Sequence, residues 1–137
     1  MQTINEIQDQ LIEDFYFYDD WMGRYDHIIQ LGKALPLIAD EHKKDQYLIR
    51  GCQSQVWLYP ELREGKLYFT ADSDAVITKG LVSLMISIIS GHSPKEIAAA
   101  DLYFIERIGL TQHLSPTRAN GLLAMLKQIK LYAQALS

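Results

Sequence analysis

The chain has 137 residues, of which 48% are hydrophobic and 22% charged, values typical of one globular domain that buries its own core. The formal net charge is -4, whereas proteins that bind the phosphate backbone carry a clustered basic excess, so nucleic acid is not expected as a partner. The single cysteine excludes an internal disulfide and any zinc or iron-sulfur site built from several thiolates.

Membrane and targeting signals are not expected to contribute. The first residues are polar and lack the basic region and apolar core of a secretory signal. The longest apolar stretch, residues 80–89, is about half the length that a membrane-spanning helix needs. We therefore expect a cytoplasmic protein in a reducing compartment, with no membrane partner.

Two amphipathic helices are predicted at the start of the chain. The first has apolar residues at helical spacing and is expected to end near Tyr18. The second is expected to be capped by Asp19 or Asp20 and to close at Pro36. Its predicted apolar stripe comprises Trp21, Tyr25, Ile28, Ile29 and Leu35. The charged residues 39–46 then predict an exposed loop.

The middle of the chain predicts a β-hairpin. Residues 56–59 and 66–70 are rich in β-branched and aromatic side chains, and the turn signal Arg63-Glu64-Gly65 separates them. Pro60 cannot donate to a strand ladder, so it indicates an edge position or a bulge.

The second half of the chain predicts helices. Residues 75–89 are apolar almost all round, which indicates a buried core helix, and residues 72–74 offer side chains to cap it. Short helices are expected from the capping box Ser93–Glu96 and over residues 102–108. A final helix should start at Ser115-Pro116, with Lys127 and Lys130 on its polar side. The fold class is α+β, a small antiparallel sheet packed against several helices in a single domain over residues 1–137.

Several catalytic and metal-binding patterns are absent from the sequence. There is no phosphate-binding glycine loop, no dinucleotide fingerprint and no His-Glu-x-x-His pair. His27, His42, His92 and His113 lack ligand spacing, so each is interpreted as a surface or capping residue and no metal site is expected.

Cys52 is the candidate for chemistry. It follows Gly51 at the turn into the first strand, where a side chain is more exposed than in a strand or helix interior. The alternative is an inert thiol that packs as a small hydrophobe. A nearby cation would favour the thiolate, and Arg50, Lys79 and Arg118 are candidates, although each could equally be a solvated charge or a surface ion pair.

Three segments of the chain resemble the SufE family of sulfur-acceptor proteins. They are residues 51–57 (GCQSQVW), 72–81 (DSDAVITKGL) and 110–122 (LTQHLSPTRANGL), and Trp21, Tyr25, Gly32 and Leu35-Pro36 match as well. The family commonly has an asparagine five residues before its cysteine, where this chain has Tyr47. The resemblance covers nearly the whole chain and implies the SufE-like fold, which the IscU-type cluster scaffolds share in overall build.

The resemblance implies that Cys52 accepts persulfide sulfur from a cysteine desulfurase of the SufS or CsdA type and stimulates that enzyme. The sulfur would then pass to an iron-sulfur scaffold of the SufB type. Asp74, Arg118, Gln53 and Ser54 would face the partner, while Trp57, Lys79, Gly80 and Asn120 would be structural. No cofactor is expected, since pyridoxal phosphate belongs to the desulfurase, and neither is independent enzymatic turnover.

Two other functions remain open on the sequence alone. One is a single-cysteine thiol enzyme of the peroxidase or hydrolase type, although no histidine lies near Cys52 in the sequence. The other is an interaction module with an inert cysteine. No long exposed apolar seam requires a dimer, so a monomer or weak homodimer is expected.

Overall fold

The computed structural model describes residues 2–52 and 54–137, and in this part of the chain one β-hairpin packs with seven helices. The helices are α1 (Ile4–Tyr16), α2 (Trp21–Gly32), α3 (Val76–Ile89), α4 (Pro94–Ala99), α5 (Phe104–Arg107), α6 (Leu110–His113) and α7 (Pro116–Leu136). The strands are β1 (Val56–Arg63) and β2 (Lys66–Ser73). Two short 3₁₀ turns, Asp40–His42 and Asp45–Tyr47, fill the charged stretch before the cysteine. The predicted α+β fold is confirmed.

The hairpin is antiparallel and has the predicted tight turn. Val56 pairs with Ser73 at one end and Arg63 with Lys66 at the other. The two turn residues, Glu64 and Gly65, both have positive φ, at 51° and 79°, as a two-residue turn that follows the right-handed strand twist requires. The hairpin prediction is therefore correct, and each strand is longer than its apolar run suggested.

Helix α3 is the core of the protein, as its sequence predicts. Most of its residues are buried, and it contacts α1, α2, α7 and β2. The largest fully buried side chains of α3 are Leu81, Leu84, Met85, Ile88 and Ile89. Each buried aliphatic side chain of this size stabilises the fold by about 1.5–3 kcal/mol, so α3 anchors the elements around it.

The N-terminal helices end earlier than predicted, and α2, whose apolar stripe was expected to pack on α1, packs mainly on α3. Asp20 caps α2 by accepting a hydrogen bond from the Gly23 amide at 2.8 Å. Helix α2 ends at Gly32, so Leu35 is buried just after the helix and not within it.

The predicted caps of α3 are wrong. The N-cap residue is Ala75, whose side chain cannot accept a hydrogen bond, and the side chains of Asp72, Ser73 and Asp74 accept the amides of Ser73, Ala75 and Gln55 instead. Asp72 forms ion pairs with Lys43 at 2.7 Å and Lys79 at 3.4 Å. Partial burial alone would raise the pKa of Asp72, but the Lys43 hydrogen bond, the Ser73 amide and the charge of Lys79 outweigh it and hold the pKa below its usual range.

Two polar residues are more buried than their sequence context suggests. Lys130 donates to the carbonyl oxygens of Ile97, Ala98 and Ala100 at the end of α4, so it closes that helix and does not lie on a polar face. His92 is buried, and its ring nitrogens contact the Ile89 and Gln2 carbonyl oxygens. It is therefore a core residue and not a surface one. No helix in the described residues is both long and apolar enough to cross a bilayer.

Candidate functional site

The segment that carries Cys52 lies between β1 and the start of α7. Gly51 has φ of +91°, a conformation that side-chain-bearing residues rarely adopt. A Cβ at Gly51 would also lie only 3.3 Å from Cβ of Ala124, so a glycine is required both by the backbone and by the neighbouring helix. This turn directs the next residue, Cys52, towards α7.

The Cys52 thiol is half-buried against Gly121. Its Sγ donates to the Gly121 carbonyl oxygen at 3.5 Å. A Cβ built on Gly121 would lie 3.5 Å from the same Sγ and 3.9 Å from Cα and Cβ of Cys52. The loop therefore rests directly on α7 at Gly121, with room for at most a methyl group between them.

A small pocket of about 90 Å³ opens beside the thiol. Its lining combines the cysteine loop with the first turns of α3 and α7, through Cys52, Ser54, Thr78, Leu81, Thr117, Arg118, Gly121 and Met125. The volume exceeds that of one water-sized group, so an additional sulfur atom on Cys52 would fit. Arg118 is the one charged residue among these.

Burial controls the state of the thiol. Desolvation raises the pKa of Cys52 above its ordinary value. The charge of Arg118 at the same pocket does not bring this pKa down. At neutral pH the free protein therefore holds Cys52 as the thiol, which is a poor nucleophile until the loop or its surroundings change.

Arg118 is held at the rim of this pocket by α2. Its Nη1 donates to the Tyr25 hydroxyl, and the guanidinium carbon lies 5.9 Å from the centre of the Tyr25 ring. The Arg118 amide donates to Oγ of Ser115, the cap of α7, at 3.3 Å. The position of Arg118 is thus set by both helices.

Asp74 fastens the base of the cysteine loop. Its carboxylate accepts the Gln55 amide at 3.0 Å, and its own amide donates to the Gln55 carbonyl oxygen at 3.3 Å. These two bonds close the chain three residues after the thiol. Asp74 itself is exposed and does not line the pocket.

The structure brings together only some of the residues singled out in the sequence. Cys52, Ser54 and Arg118 share the pocket, whereas Gln53 lies outside the described residues. Of the other candidate cations, Arg50 is exposed and Lys79 is paired with Asp72. Tyr47, at the position where the sequence departs from the SufE pattern, packs against His42 and Tyr59.

Sequence reasoning missed Thr78, Leu81, Thr117, Gly121 and Met125 as pocket residues. One signal was present: Gly121 is a glycine in the interior of a long helix, where it costs about 0.5–1 kcal/mol relative to alanine. It is three residues after Arg118 and so on the same helix face. Across residues 2–52 and 54–137, no three His, Cys, Asp or Glu side chains come together as metal ligands.

Comparison of the chain with protein-family models identifies its family. The model described as "SufE: Fe-S metabolism associated domain" matches residues 9–133 of the chain. The chain belongs to the SufE family. This confirms the resemblance in the sequence and gives the protein a role in iron-sulfur metabolism.

Individual relatives agree with this assignment. An uncharacterized SufE-like protein of Rhizobium etli is 44% identical over 127 residues, covering 89% of this chain and 86% of the relative. One from Rhizobium meliloti is 41% identical over 131 residues, covering 92% and 94%. The solution structure of a hypothetical protein from Thermus thermophilus, 18% identical, superposes with a TM-score of 0.78 over 94% of each chain and shares the fold.

Proposed function

We propose that this SufE-family protein accepts sulfur on Cys52 from the persulfide of a cysteine desulfurase, speeds that enzyme and passes the sulfur to an iron-sulfur scaffold. The observation that carries the proposal is a unique thiol, half-buried beside a pocket with room for one more sulfur atom. The match to an iron-sulfur metabolism domain over residues 9–133 supports it.

The transfer step exchanges one sulfur-sulfur bond for another. The Cys52 thiolate attacks the outer sulfur of the donor persulfide, R–S–SH, and displaces the donor thiolate, R–S⁻. The products are Cys52–S–SH and R–S⁻, so no oxidant or reductant is consumed. The rate depends on the thiolate fraction of Cys52, on access to it and on the leaving thiolate, as in thiol-disulfide exchange.

The resting position of Cys52 suits a carrier of labile sulfur. A solvent-exposed persulfide is open to attack by small thiols, whereas the pocket between α3 and α7 would shield its outer sulfur. The same burial raises the pKa of the thiol and slows its own side reactions. The donor must therefore draw the loop out, and Gly51 provides the hinge for that motion.

The residues around the pocket would meet the donor. Ser54 and Arg118 line it, and Asp74 lies at the base of the loop, so a SufS- or CsdA-type desulfurase that reaches Cys52 must cover this face. A SufB-type scaffold would receive the sulfur from the same thiol. The described pocket lining contains no histidine or carboxylate that could serve as a general base, which is why a carrier is favoured over an independent thiol enzyme.

Sulfur loading of the intact chain tests the proposal. Incubated with a cysteine desulfurase and cysteine but no reductant, the wild-type chain should gain the mass of about one sulfur atom in intact mass spectrometry. Cys52→Ser should gain none and should fail to stimulate the desulfurase. An unmodified wild-type mass, or equal gain in the variant, would remove Cys52 from the role of acceptor.

Opening of the loop gives a second prediction. Alkylation of Cys52 should be slow in the free protein and faster when the desulfurase is present. Asp74→Ala removes the acceptor of the Gln55 amide and should speed alkylation without any partner by about fivefold, the effect of losing a hydrogen bond worth about 1 kcal/mol.

The rate of iodoacetamide labelling, followed by mass, measures both effects. Asp40→Ala is a matched control, because Asp40 is an exposed carboxylate that pairs with Lys43 and does not contact the loop. If labelling proceeds at one rate with and without the desulfurase, the loop does not open on docking.

A further inference from the structure

The contact between Arg118 and Tyr25 has no part in the sulfur-transfer step itself. Arg118 is the charged residue of the Cys52 pocket, yet its guanidinium is bonded to a hydroxyl on α2. A phenol hydroxyl is a neutral acceptor, and charged acceptors bind guanidinium about twice as strongly. In the free protein the Arg118 guanidinium is therefore bound to a weak, neutral acceptor, the Tyr25 hydroxyl.

A change of side-chain conformation would bring Arg118 to the sulfur. Arg118 and Gly121 are three residues apart on α7, so they lie on one helix face, where positions with this spacing are neighbours about 5–6 Å apart. Gly121 contacts the Cys52 Sγ directly. The helix does not need to move for a long, flexible arginine side chain to cover that distance.

The other groups around the thiol do not offer an alternative positive charge. The described pocket lining from α3 is Thr78 and Leu81, and the loop contributes Ser54, none of which is ionisable in the neutral range. On α7 the lining residues other than Arg118 are also uncharged. Lys79 of α3 is occupied by Asp72 at 3.4 Å. Arg50 is exposed and lies outside the pocket lining, so Arg118 is the cation of the described lining that can meet a sulfur anion at Cys52.

We propose that Tyr25 is a positioning residue that holds Arg118 away from Cys52 in the unloaded protein, and that Arg118 leaves Tyr25 to bind the sulfur anion when Cys52 ionises or carries a persulfide. This deepens the proposed sulfur-acceptor function and rests on it. Tyr25 thereby delays activation of the thiol, and Arg118 supplies the positive charge at the moment of transfer.

With Arg118 held by Tyr25, burial is the cause that sets the pKa of the Cys52 thiol in the free protein. A cation within about 4–6 Å of an acidic group lowers its pKa by about 1–3. No such lowering acts on Cys52, whose pKa is raised by desolvation although Arg118 lines the same pocket. The Tyr25 hydroxyl accounts for this separation of charge and thiol.

Tyr25→Phe tests the proposal in the free protein. The change removes the hydroxyl and keeps the ring and its packing on α2. The pH midpoint of Cys52 alkylation by iodoacetamide, an uncharged reagent, should fall by about one pH unit, and the rate at pH 7 should rise by up to about tenfold. Thermal unfolding of each variant checks that the fold is kept.

A double-variant comparison separates charge from loosening of the loop. Arg118→Gln removes the charge and keeps a polar side chain, so Tyr25→Phe added to Arg118→Gln should leave the alkylation profile of Arg118→Gln unchanged. An unshifted profile for Tyr25→Phe overturns the proposal. Equal acceleration in the presence and absence of Arg118 overturns it too, because the hydroxyl would then act on the loop alone.

The experiment is independent of sulfur loading. It uses the isolated chain and a small alkylating reagent, with no desulfurase. If sulfur loading fails but the alkylation profile of Tyr25→Phe is shifted, the acceptor function is rejected and the positioning role of Tyr25 is retained. If sulfur loading succeeds but the profile is not shifted, the acceptor function is retained and the positioning role of Tyr25 is rejected.

Discussion

Replacing Gly80 with alanine should remove a large part of the stability of the protein. A Cβ on Gly80 would lie 2.2 Å from the carbonyl oxygen of Ile28 and 2.7 Å from its Cγ2. The obstacle is backbone, which cannot turn away as a flexible side chain can. A Cβ on Gly32, across the same contact, would lie 3.0 Å from the Gly80 nitrogen, so α2 and α3 touch through their backbones.

The expected cost of Gly80→Ala is about 3 kcal/mol or more, at the upper end of overpacking effects. Small domains are stable by only about 5–15 kcal/mol, so the urea unfolding midpoint should fall sharply or the chain should not fold. Because Thr78 and Leu81 of α3 line the Cys52 pocket, a variant that still folds should also hold the Cys52 side chain less firmly in that pocket.

Gly65→Ala is the matched control for this substitution. Gly65 has a positive φ but no atom within 4 Å of its added Cβ, so the cost is the backbone conformation alone, about 1–2 kcal/mol. Similar unfolding midpoints for the two variants would show that α2 and α3 accommodate the added methyl at no more than the cost of a strained turn, which would contradict the close backbone contact at Gly80.

Replacing Gly121 with valine should expel Cys52 from its pocket while the fold is kept. A Cβ at this position already contacts three atoms of Cys52, at 3.5, 3.9 and 3.9 Å. The further methyl carbons of valine, held in one rotamer in a helix, would overlap the cysteine. Because the cysteine lies on a loop, the loop yields before the helix does.

An overlap worth about 1–3 kcal/mol would raise the population of the open loop by about fivefold to a hundredfold, and Cys52 alkylation at pH 7 should accelerate accordingly. Gly121→Ala is the graded control, because its methyl makes only ordinary contact with Sγ. Alanine should also stabilise α7 by about 0.5–1 kcal/mol. Alkylation of the valine variant at the alanine rate would mean that Gly121 does not seat the thiol.

Local sequence signals predicted most of the elements because each carried its own evidence. The apolar period of α1, the nearly continuous apolar run of α3, the Ser93 capping box and the Ser115-Pro116 start all depend on residues within a few positions of one another. Helix α6 was missed because its four residues are too few to show a period, and it starts after Gly109, which has φ of 77°.

Errors arose where distant residues compete for a side chain. Asp72 is a plausible cap in its local sequence, but Lys43, which comes from the 3₁₀ segment, binds it instead. Lys130 looks like a surface charge until α4 brings three carbonyl oxygens to it. Such partners are set by tertiary packing, which the local pattern does not contain.

The candidate site was only partly predictable for the same reason. Cys52 and Arg118 lie in recognisable motifs, and both line the pocket. Tyr25 also matches the family pattern, but its contact with Arg118 depends on how α2 meets α7. The role of Gly121 likewise becomes visible only when the loop rests on it.

The outer edge of β2 is occupied by hydrogen bonds, and the outer edge of β1 is partly protected. Along β2, the amides of Leu67, Phe69 and Ala71 donate to His92 O, Ser90 Oγ and Pro36 O. Pro60, opposite Phe69, has no amide hydrogen where β1 faces outward, and Ile49 donates to Val56 O nearer the cysteine. A hairpin with unprotected edges would recruit strands from other chains. Because these backbone groups already have partners, they are not available to a strand from another chain, and the hairpin is protected against edge-to-edge aggregation.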